Sequence, residues 1–69
     1  MQISARNQLR GTVKSIRLGT VMAEVVLELP DGQGIVAAIT RSSAEALKLQ
    51  AGDQVTAIIK STEVMIGKG

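Results

Sequence analysis

Cysteine, histidine and aromatic residues are all absent from this sequence. Without cysteine no disulfide can form, and without cysteine or histidine the common soft-metal sites are excluded. The thiol and imidazole groups that often act as nucleophile or base are missing with them, and no pair of carboxylates has an obvious reason to be perturbed. No glycine motif for dinucleotides or nucleoside phosphates is present either. We therefore expect a binding protein rather than an enzyme, with no cofactor and no ligands for a metal cation.

The shortness of the chain limits what it can do alone. Its 69 residues predict a single domain, residues 1–69. A domain of this size buries only about 60% of the surface of its unfolded chain. Such domains usually gain support from disulfides, a metal or oligomerisation. Because the composition excludes the first two, we expect a homo-oligomer.

Charge and hydropathy exclude further classes. The net charge of +2 is too small to indicate nucleic acid, and no aromatic side chain could stack on a base. No apolar run approaches the ~20 residues of a membrane span, and no signal peptide can be drawn. We expect a cytoplasmic protein that binds neither nucleic acid nor membrane. Six of the eight basic residues are expected to be solubilising surface: Arg10, Lys14, Arg17, Arg41, Lys48 and Lys68.

Alternation of apolar and polar residues predicts β-strands along most of the chain. The clearest run is Ala23–Leu29, where every second residue from Ala23 is apolar. The apolar phase slips near Lys14 and Ser15, which predicts a β-bulge. Pro30–Gly34 has the composition of a hairpin loop. Further strands are expected over residues 9–18, 35–40, 54–60 and 63–66.

One short helix is expected after the third strand. Ser42 and Glu45 fit a capping box, in which Ser42 is the N-cap and Glu45 reaches back to it. Ala44 and Leu47 would face inward, and the helix would stop before Ala51–Asp53. Five strands with one helix between the third and the fourth suit a small OB-like β-barrel. The predicted fold class is therefore all-β with one short helix, built as a five-stranded OB-like barrel.

The outward faces of the predicted strands are less polar than a free monomer should present. Single apolar residues are ordinary on a protein surface. Five of them across four strands indicate a subunit interface instead. These residues are Val26, Val36, Ala38, Ile58 and Met65.

Three short clusters combine hydroxyl groups with positive charge: Ser4–Arg6, Thr40–Ser43 and Lys60–Ser61. Tetrahedral oxyanions are bound by fixed N–H and O–H donors of this kind, often at the start of a helix. Ser4 and Arg6 project to the same side of an extended segment, so they can approach one ligand together. Each cluster also has a structural interpretation: a solvated terminus, a helix cap or the end of a strand.

The order of these segments resembles the Mop family of molybdate-binding proteins, the molbindins. The match runs over nearly the whole chain without a large gap. It rests on Ser4–Leu9, Gly11, Leu18-Gly19, Ala23–Val25, Ile39–Arg41 and Ile58–Ser61.

The resemblance implies a function, a ligand and an assembly. A molbindin binds molybdate or tungstate without covalent chemistry, at subunit interfaces, for storage or buffering. Its assembly is a homohexamer, a trimer of strand-exchanging dimers. Backbone N–H groups near Ala5 and Ser61 would add donors. The oxyanion-binding residues that the family site implies for this chain are Ser4, Ala5, Arg6, Thr40, Ser43, Lys60 and Ser61.

The resemblance also implies a second class of sites at subunit junctions. In this chain the corresponding residues are Gly19, Thr20, Val21 and Met22. An asparagine is common in the family where this chain has Met22, and that departure counts against the second class here.

A DNA-binding function is the alternative. Leu47–Val55 resembles the turn of the small swapped-hairpin regulators of the AbrB kind. The segment is short, however, and the motif Ser4–Gln8 has no place in that family. Molybdate binding is therefore the favoured interpretation.

Overall fold

The computed structural model describes residues 1–69 as one four-stranded antiparallel sheet with a short α-helix and a 3-10 turn. The sheet has the order β3-β2-β1-β4. No helix is long and apolar enough to cross a membrane. The elements are β1 (Asn7–Leu18), β2 (Met22–Glu28), β3 (Gly34–Thr40), α1 (Arg41–Ala46), β4 (Gln54–Ile59) and the 3-10 helix Ser61–Glu63.

Strand β1 organises the sheet because its two halves have different neighbours. Its first half pairs with β4, from Asn7 opposite Ile59 onward. Its second half pairs with β2, as far as Leu18 opposite Ala23. The register shifts between Val13 and Ser15, which confirms the predicted bulge. A bulge bends its strand, so β1 turns from one neighbour to the other.

The core is small and purely aliphatic. The buried hydrophobic residues of the sheet are Val13, Ala23, Val25 and Leu27, and Ala44 is the buried residue of α1. The alternation predicted for β2 is therefore confirmed. Only six of the 69 residues are buried, so most of the apolar surface of a single chain still faces water.

The sheet curls into a half-barrel that stays open between its edge strands β3 and β4. An apolar groove of about 580 Å³ runs along this opening, and side chains from all four strands line it. Val36 and Ile58, two of the outward apolar residues, lie on its rim at 65% and 47% exposure. Both edge strands present backbone groups without a neighbour on their outer side.

The predicted fifth strand does not form within one chain. Residues 61–63 make a 3-10 turn, and no strand follows it. Met65 and Ile66 are 93% and 90% exposed. A strand needs a neighbour for its backbone N–H and C=O groups, and this segment has none in the single chain. The expected five-stranded barrel is therefore an open four-stranded one here.

The helix begins earlier than predicted. Thr40, not Ser42, is the N-cap, because the extended backbone of β3 runs directly into α1. The carboxylate of Glu45 accepts from Arg41 Nε at 3.4 Å rather than reaching back to Ser42. Leu47, expected to face inward, is 67% exposed. A helix that ends at Ala46 leaves Leu47 at its C-cap, on the rim of the groove.

Candidate functional site

The strand register brings the opening segment next to Lys60 and Ser61. Asn7 lies opposite Ile59. Residues Ser4–Arg6 directly precede β1, and Lys60 and Ser61 directly follow β4. Five of the predicted oxyanion-binding residues thus share one end of the β1–β4 pair. We call them the cationic cluster: Ser4, Ala5, Arg6, Lys60 and Ser61.

The positive charges of the cationic cluster are not neutralised. Arg6 and Lys60 are exposed. The two ion pairs of the chain lie elsewhere, between Arg17 and Glu24 and within α1. Two exposed cations that form no ion pair create a local positive potential. This end of the sheet can therefore attract a small anion.

Local hydrogen bonds hold the cationic cluster in place. The carboxamide Nε2 of Gln8 donates to the carbonyl of Ala5 at 2.8 Å. The carbonyl of Lys60 accepts from the backbone N–H of Glu63 at 2.9 Å, which fixes the turn after β4. The N–H of Ala5 has no backbone partner in the chain. It is free to donate to a ligand.

The remaining predicted residues, Thr40 and Ser43, meet at the junction of β3 and α1. We call this pair the hydroxyl cluster. Thr40 Oγ1 accepts from the backbone N–H of Ser43 at 3.1 Å and donates to Ser43 Oγ at 2.7 Å. The hydroxyl of Ser42 lies 3.3 Å from Thr40 Oγ1. The cluster is neutral, and the hydroxyl of Thr40 already donates its hydrogen to Ser43 Oγ.

The two clusters lie at opposite ends of strand β1. The cationic cluster flanks the start of β1 at Asn7. Thr40 pairs with Met22, next to the end of β1 at Leu18. A strand of 12 residues is at most about 36 Å long at ~3.3 Å per residue. The strand pairing therefore places the two clusters near opposite ends of one long strand rather than side by side.

The turn between β1 and β2 contains the residues of the second predicted site class. The N–H of Gly19 donates to the carbonyl of Met22 at 2.7 Å. A Cβ at position 19 would lie 2.9 Å from that carbonyl oxygen, so this turn requires glycine. Thr20 and Val21 are exposed at its tip. The neighbouring pocket of about 350 Å³ has a single cation, Arg17, which already pairs with Glu24 at 3.6 Å.

Arg41 is a residue whose contacts the sequence did not indicate. It was expected to be solubilising surface, yet its guanidinium Nη1 donates to the carbonyl of Gly19 at 3.4 Å. Its backbone N–H donates to the carbonyl of Val21 at 2.8 Å. A contact between residues 22 positions apart leaves no local signal in a sequence.

The β2–β3 loop is ordered by its own carboxylate. The side chain of Gln33 donates to Asp31 at 2.6 Å, and its backbone N–H donates at 3.1 Å. Both bonds lower the pKa of Asp31 from its ordinary value, and the side-chain bond has the larger effect. The loop contributes no residue to either cluster, so we assign this carboxylate a structural role.

Comparison with known proteins gives consistent matches. The TOBE domain family matches residues 3–66. Molybdenum-pterin-binding protein 1 of Clostridium pasteurianum is 50% identical over 66 residues, which cover 96% of this chain and 97% of that protein. A molybdate-binding protein of Sporomusa ovata superposes with a TM-score of 0.93 at 50% identity, over 99% of this chain and 100% of its own. ModG, a cytoplasmic molybdate-binding protein solved with molybdate bound, superposes with a TM-score of 0.84 at 43% identity. The match covers 88% of this chain and 43% of the ModG chain.

Proposed function

We propose that this chain, which belongs to the TOBE domain family, binds molybdate reversibly and without covalent chemistry. The relatives that match nearly its full length are named for binding, not for catalysis. The sequence-based interpretation as a Mop-type binding protein is thereby confirmed. Storage or buffering of the anion in the cytoplasm is the role that we propose for such binding.

The observation that carries this proposal is the cationic cluster. Arg6 and Lys60 flank one end of the β1–β4 pair with no carboxylate to neutralise them. The hydroxyls of Ser4 and Ser61 and the free N–H of Ala5 lie in the same segments. Charged donors form shorter and stronger hydrogen bonds to an anion than neutral donors do. A dianion such as molybdate matches two cations surrounded by neutral donors.

We infer that the complete site forms between two copies of the chain. The cationic cluster of one copy would meet the hydroxyl cluster of the other. The positions of the clusters at opposite ends of β1 support this arrangement, because a site within one chain would need the two clusters to lie together. The small core and the exposed apolar side chains around the groove support it independently.

Strand exchange between copies would also close the half-barrel. We propose that the segment Val64–Ile66 of one copy fills the apolar groove of another as its fifth strand. The exposed side chains of this segment and the free edges of β3 and β4 support that placement. Burying Met65 and Ile66 contributes about 1.5–3 kcal/mol for each side chain. The assembly that we propose is a hexamer, a trimer of such dimers.

Ligand size and chemistry narrow the choice of ligand. Molybdate and tungstate have the same charge and nearly the same size, so the site should bind both. Sulfate is smaller, and each stretched contact would cost about 1–3 kcal/mol. A pterin ring would need a stacking partner, and this chain has no aromatic residue. We therefore propose the bare oxyanion, rather than a molybdenum-pterin, as the ligand.

Native mass spectrometry with and without molybdate tests this function directly. We expect a hexamer in both conditions and more than one bound anion per hexamer when molybdate is present. Tungstate should compete on equal terms and sulfate weakly. Duplex DNA is the control for the regulator interpretation, and it should not bind at physiological salt. A monomer that takes up no anion, or DNA affinity that falls with a log–log salt slope near −0.9 per phosphate, would contradict the proposal.

A further inference from the structure

A single residue ties the hydroxyl cluster to the turn between β1 and β2. The backbone N–H of Arg41 donates to the carbonyl of Val21 at 2.8 Å. Its guanidinium donates from Nη1 to the carbonyl of Gly19, and from Nε to the carboxylate of Glu45, each at 3.4 Å. Arg41 therefore connects the β1–β2 turn, the end of β3 and the second half of α1.

Few other contacts hold α1 in place. The helix has six residues, and Ala44 is its one buried side chain. A helix this short has little stability of its own and depends on tertiary contacts. The polar contacts of Arg41 consequently carry a larger share of its anchoring than they would in a long, well-packed helix.

The geometry of the hydroxyl cluster depends on how α1 sits. Thr40 is the last residue of β3, whereas Ser43 belongs to α1. A rotation of α1 about this junction changes the distance and angle between the two hydroxyls. Arg41 lies between them in sequence and opposes that rotation through its bond to Gly19.

We propose that Arg41 is a positioning residue of the oxyanion site. It holds α1 against the β1–β2 turn, so that Thr40 and Ser43 keep the arrangement that an oxyanion requires. The inference rests on the proposed function. Arg41 acts through α1 rather than as a ligand, because its guanidinium already contacts Gly19 and Glu45 and its charge is paired there.

Calorimetric titration of molybdate and of sulfate into matched variants of the full chain tests this role. Arg41→Met removes both guanidinium contacts, and Arg41→Lys restores one charged donor. Lys48→Met is the control. It removes one cation just after α1 and keeps a Cβ at a position with a φ of 52°, so its backbone strain is unchanged.

Arg41→Met should weaken molybdate binding about fivefold, the effect of losing one or two ordinary hydrogen bonds. It should also reduce the preference for molybdate over sulfate, because a displaced hydroxyl pair no longer fits the larger anion. Arg41→Lys should recover most of the affinity, and Lys48→Met should stay within about twofold of the wild type, as expected for an exposed charge that solvent and salt screen. Without ligand, amide hydrogen exchange at Ser43 should be faster in Arg41→Met than in Lys48→Met.

Three outcomes would overturn the inference. Equal losses in Arg41→Met and Lys48→Met would show that charge alone matters. An equal loss of affinity for molybdate and for sulfate would likewise show that only charge matters. A loss in Arg41→Met as large as in Lys60→Ala would make Arg41 a ligand. A wild-type chain that binds no molybdate would instead overturn the proposed function, and the inference would fall with it.

Discussion

The cationic cluster and the hydroxyl cluster differ in what each offers to an anion. In the first, Arg6 and Lys60 are exposed and form no ion pair. In the second, Thr40 and Ser43 carry no charge and are already bonded to each other at 2.7 and 3.1 Å. The residues at one end of β1 thus offer unpaired positive charge, and those at the other end offer hydroxyl groups in a fixed arrangement. In the site that we propose, the cationic cluster would therefore attract the anion and the hydroxyl cluster would recognise its shape.

This division has an energetic consequence. A hydrogen bond from a charged group contributes about 1.5–3 kcal/mol, whereas a neutral one contributes about 0.5–1.5 kcal/mol. Thr40 must also exchange its bond to Ser43 Oγ for one to the anion, which reduces its net gain further. Most of the affinity should therefore come from the cationic cluster. The hydroxyl cluster should contribute mainly to the choice among anions.

The largest expected effect comes from removing the charges. Arg6→Ala and Lys60→Ala should each weaken molybdate binding about tenfold or more, since each ~1.4 kcal/mol is a factor of ten. The double variant should lose about a hundredfold or more, although neighbouring residues need not act additively. Isothermal titration calorimetry measures this directly. Lys14→Ala, which removes one exposed cation elsewhere, is the matched control.

Unchanged affinity in both single variants would remove the cationic cluster from the site. Equal losses in Lys14→Ala would show that net charge, and not the location of Arg6 and Lys60, determines the affinity.

A mixing experiment tests whether the two clusters come from different copies. One variant carries Arg6→Ala and Lys60→Ala, and the other carries Thr40→Val and Ser43→Ala. Each variant alone should bind molybdate more weakly than the wild type, so capacity is compared at a molybdate concentration that fills neither variant appreciably. After unfolding and refolding together, random pairing makes half of the dimers mixed, and each mixed dimer regains one intact site. About a quarter of the wild-type capacity should therefore return.

Equilibrium dialysis against molybdate measures the recovered capacity. Refolding each variant by itself is the control. No recovery in the mixture would indicate that each site is built from one chain, which would contradict the shared site.

The smallest effects are expected at the hydroxyl cluster. Thr40→Val should weaken molybdate binding about threefold to tenfold, the range for one neutral hydrogen bond. It also removes the N-cap of α1, which should lower the free energy of unfolding by about 1 kcal/mol. Ser43→Ala keeps the backbone N–H that donates to Thr40 Oγ1. It should therefore weaken binding without a comparable loss of stability.

Thermal unfolding of the ligand-free proteins separates the two variants. A loss of about 1 kcal/mol corresponds to a decrease in Tm of about 4–8 °C for a domain of this size. Equal Tm values in Thr40→Val and Ser43→Ala would contradict the assignment of Thr40 as the cap.

Local patterns predicted the strands and the bulge but not the ends of the elements. The period of two in β2 placed Ala23, Val25 and Leu27 in the core, and the phase slip near Ser15 located the bulge. The capping box at Ser42 was wrong because β3 runs without a break into α1, so Thr40 already occupies the cap position. Whether a strand continues to the first residue of a helix depends on its pairing, here Met22 with Thr40.

The chemistry of the site followed from residue types, but its layout did not. The sequence alone indicated three polar clusters, and the resemblance to molbindins assigned their residues to one oxyanion. The pairing of β1 with β4 brings two of those clusters to one end of β1. The pairing of β2 with β1 and β3 brings the third near the other end. The contact of Arg41 with Gly19 likewise arises only when β1, β2 and β3 are assembled.

The sequence by itself determined four of the strands, the aliphatic core, the absence of cysteine and histidine, and the kinds of donor available to an anion. These properties are fixed by each residue and its near neighbours. Only the tertiary structure decided which clusters meet, which hydroxyl caps α1 and whether residues 63–66 form a strand. Each of these depends on a backbone or side-chain partner distant in the chain. A strand such as the predicted fifth exists only where another strand satisfies its hydrogen bonds.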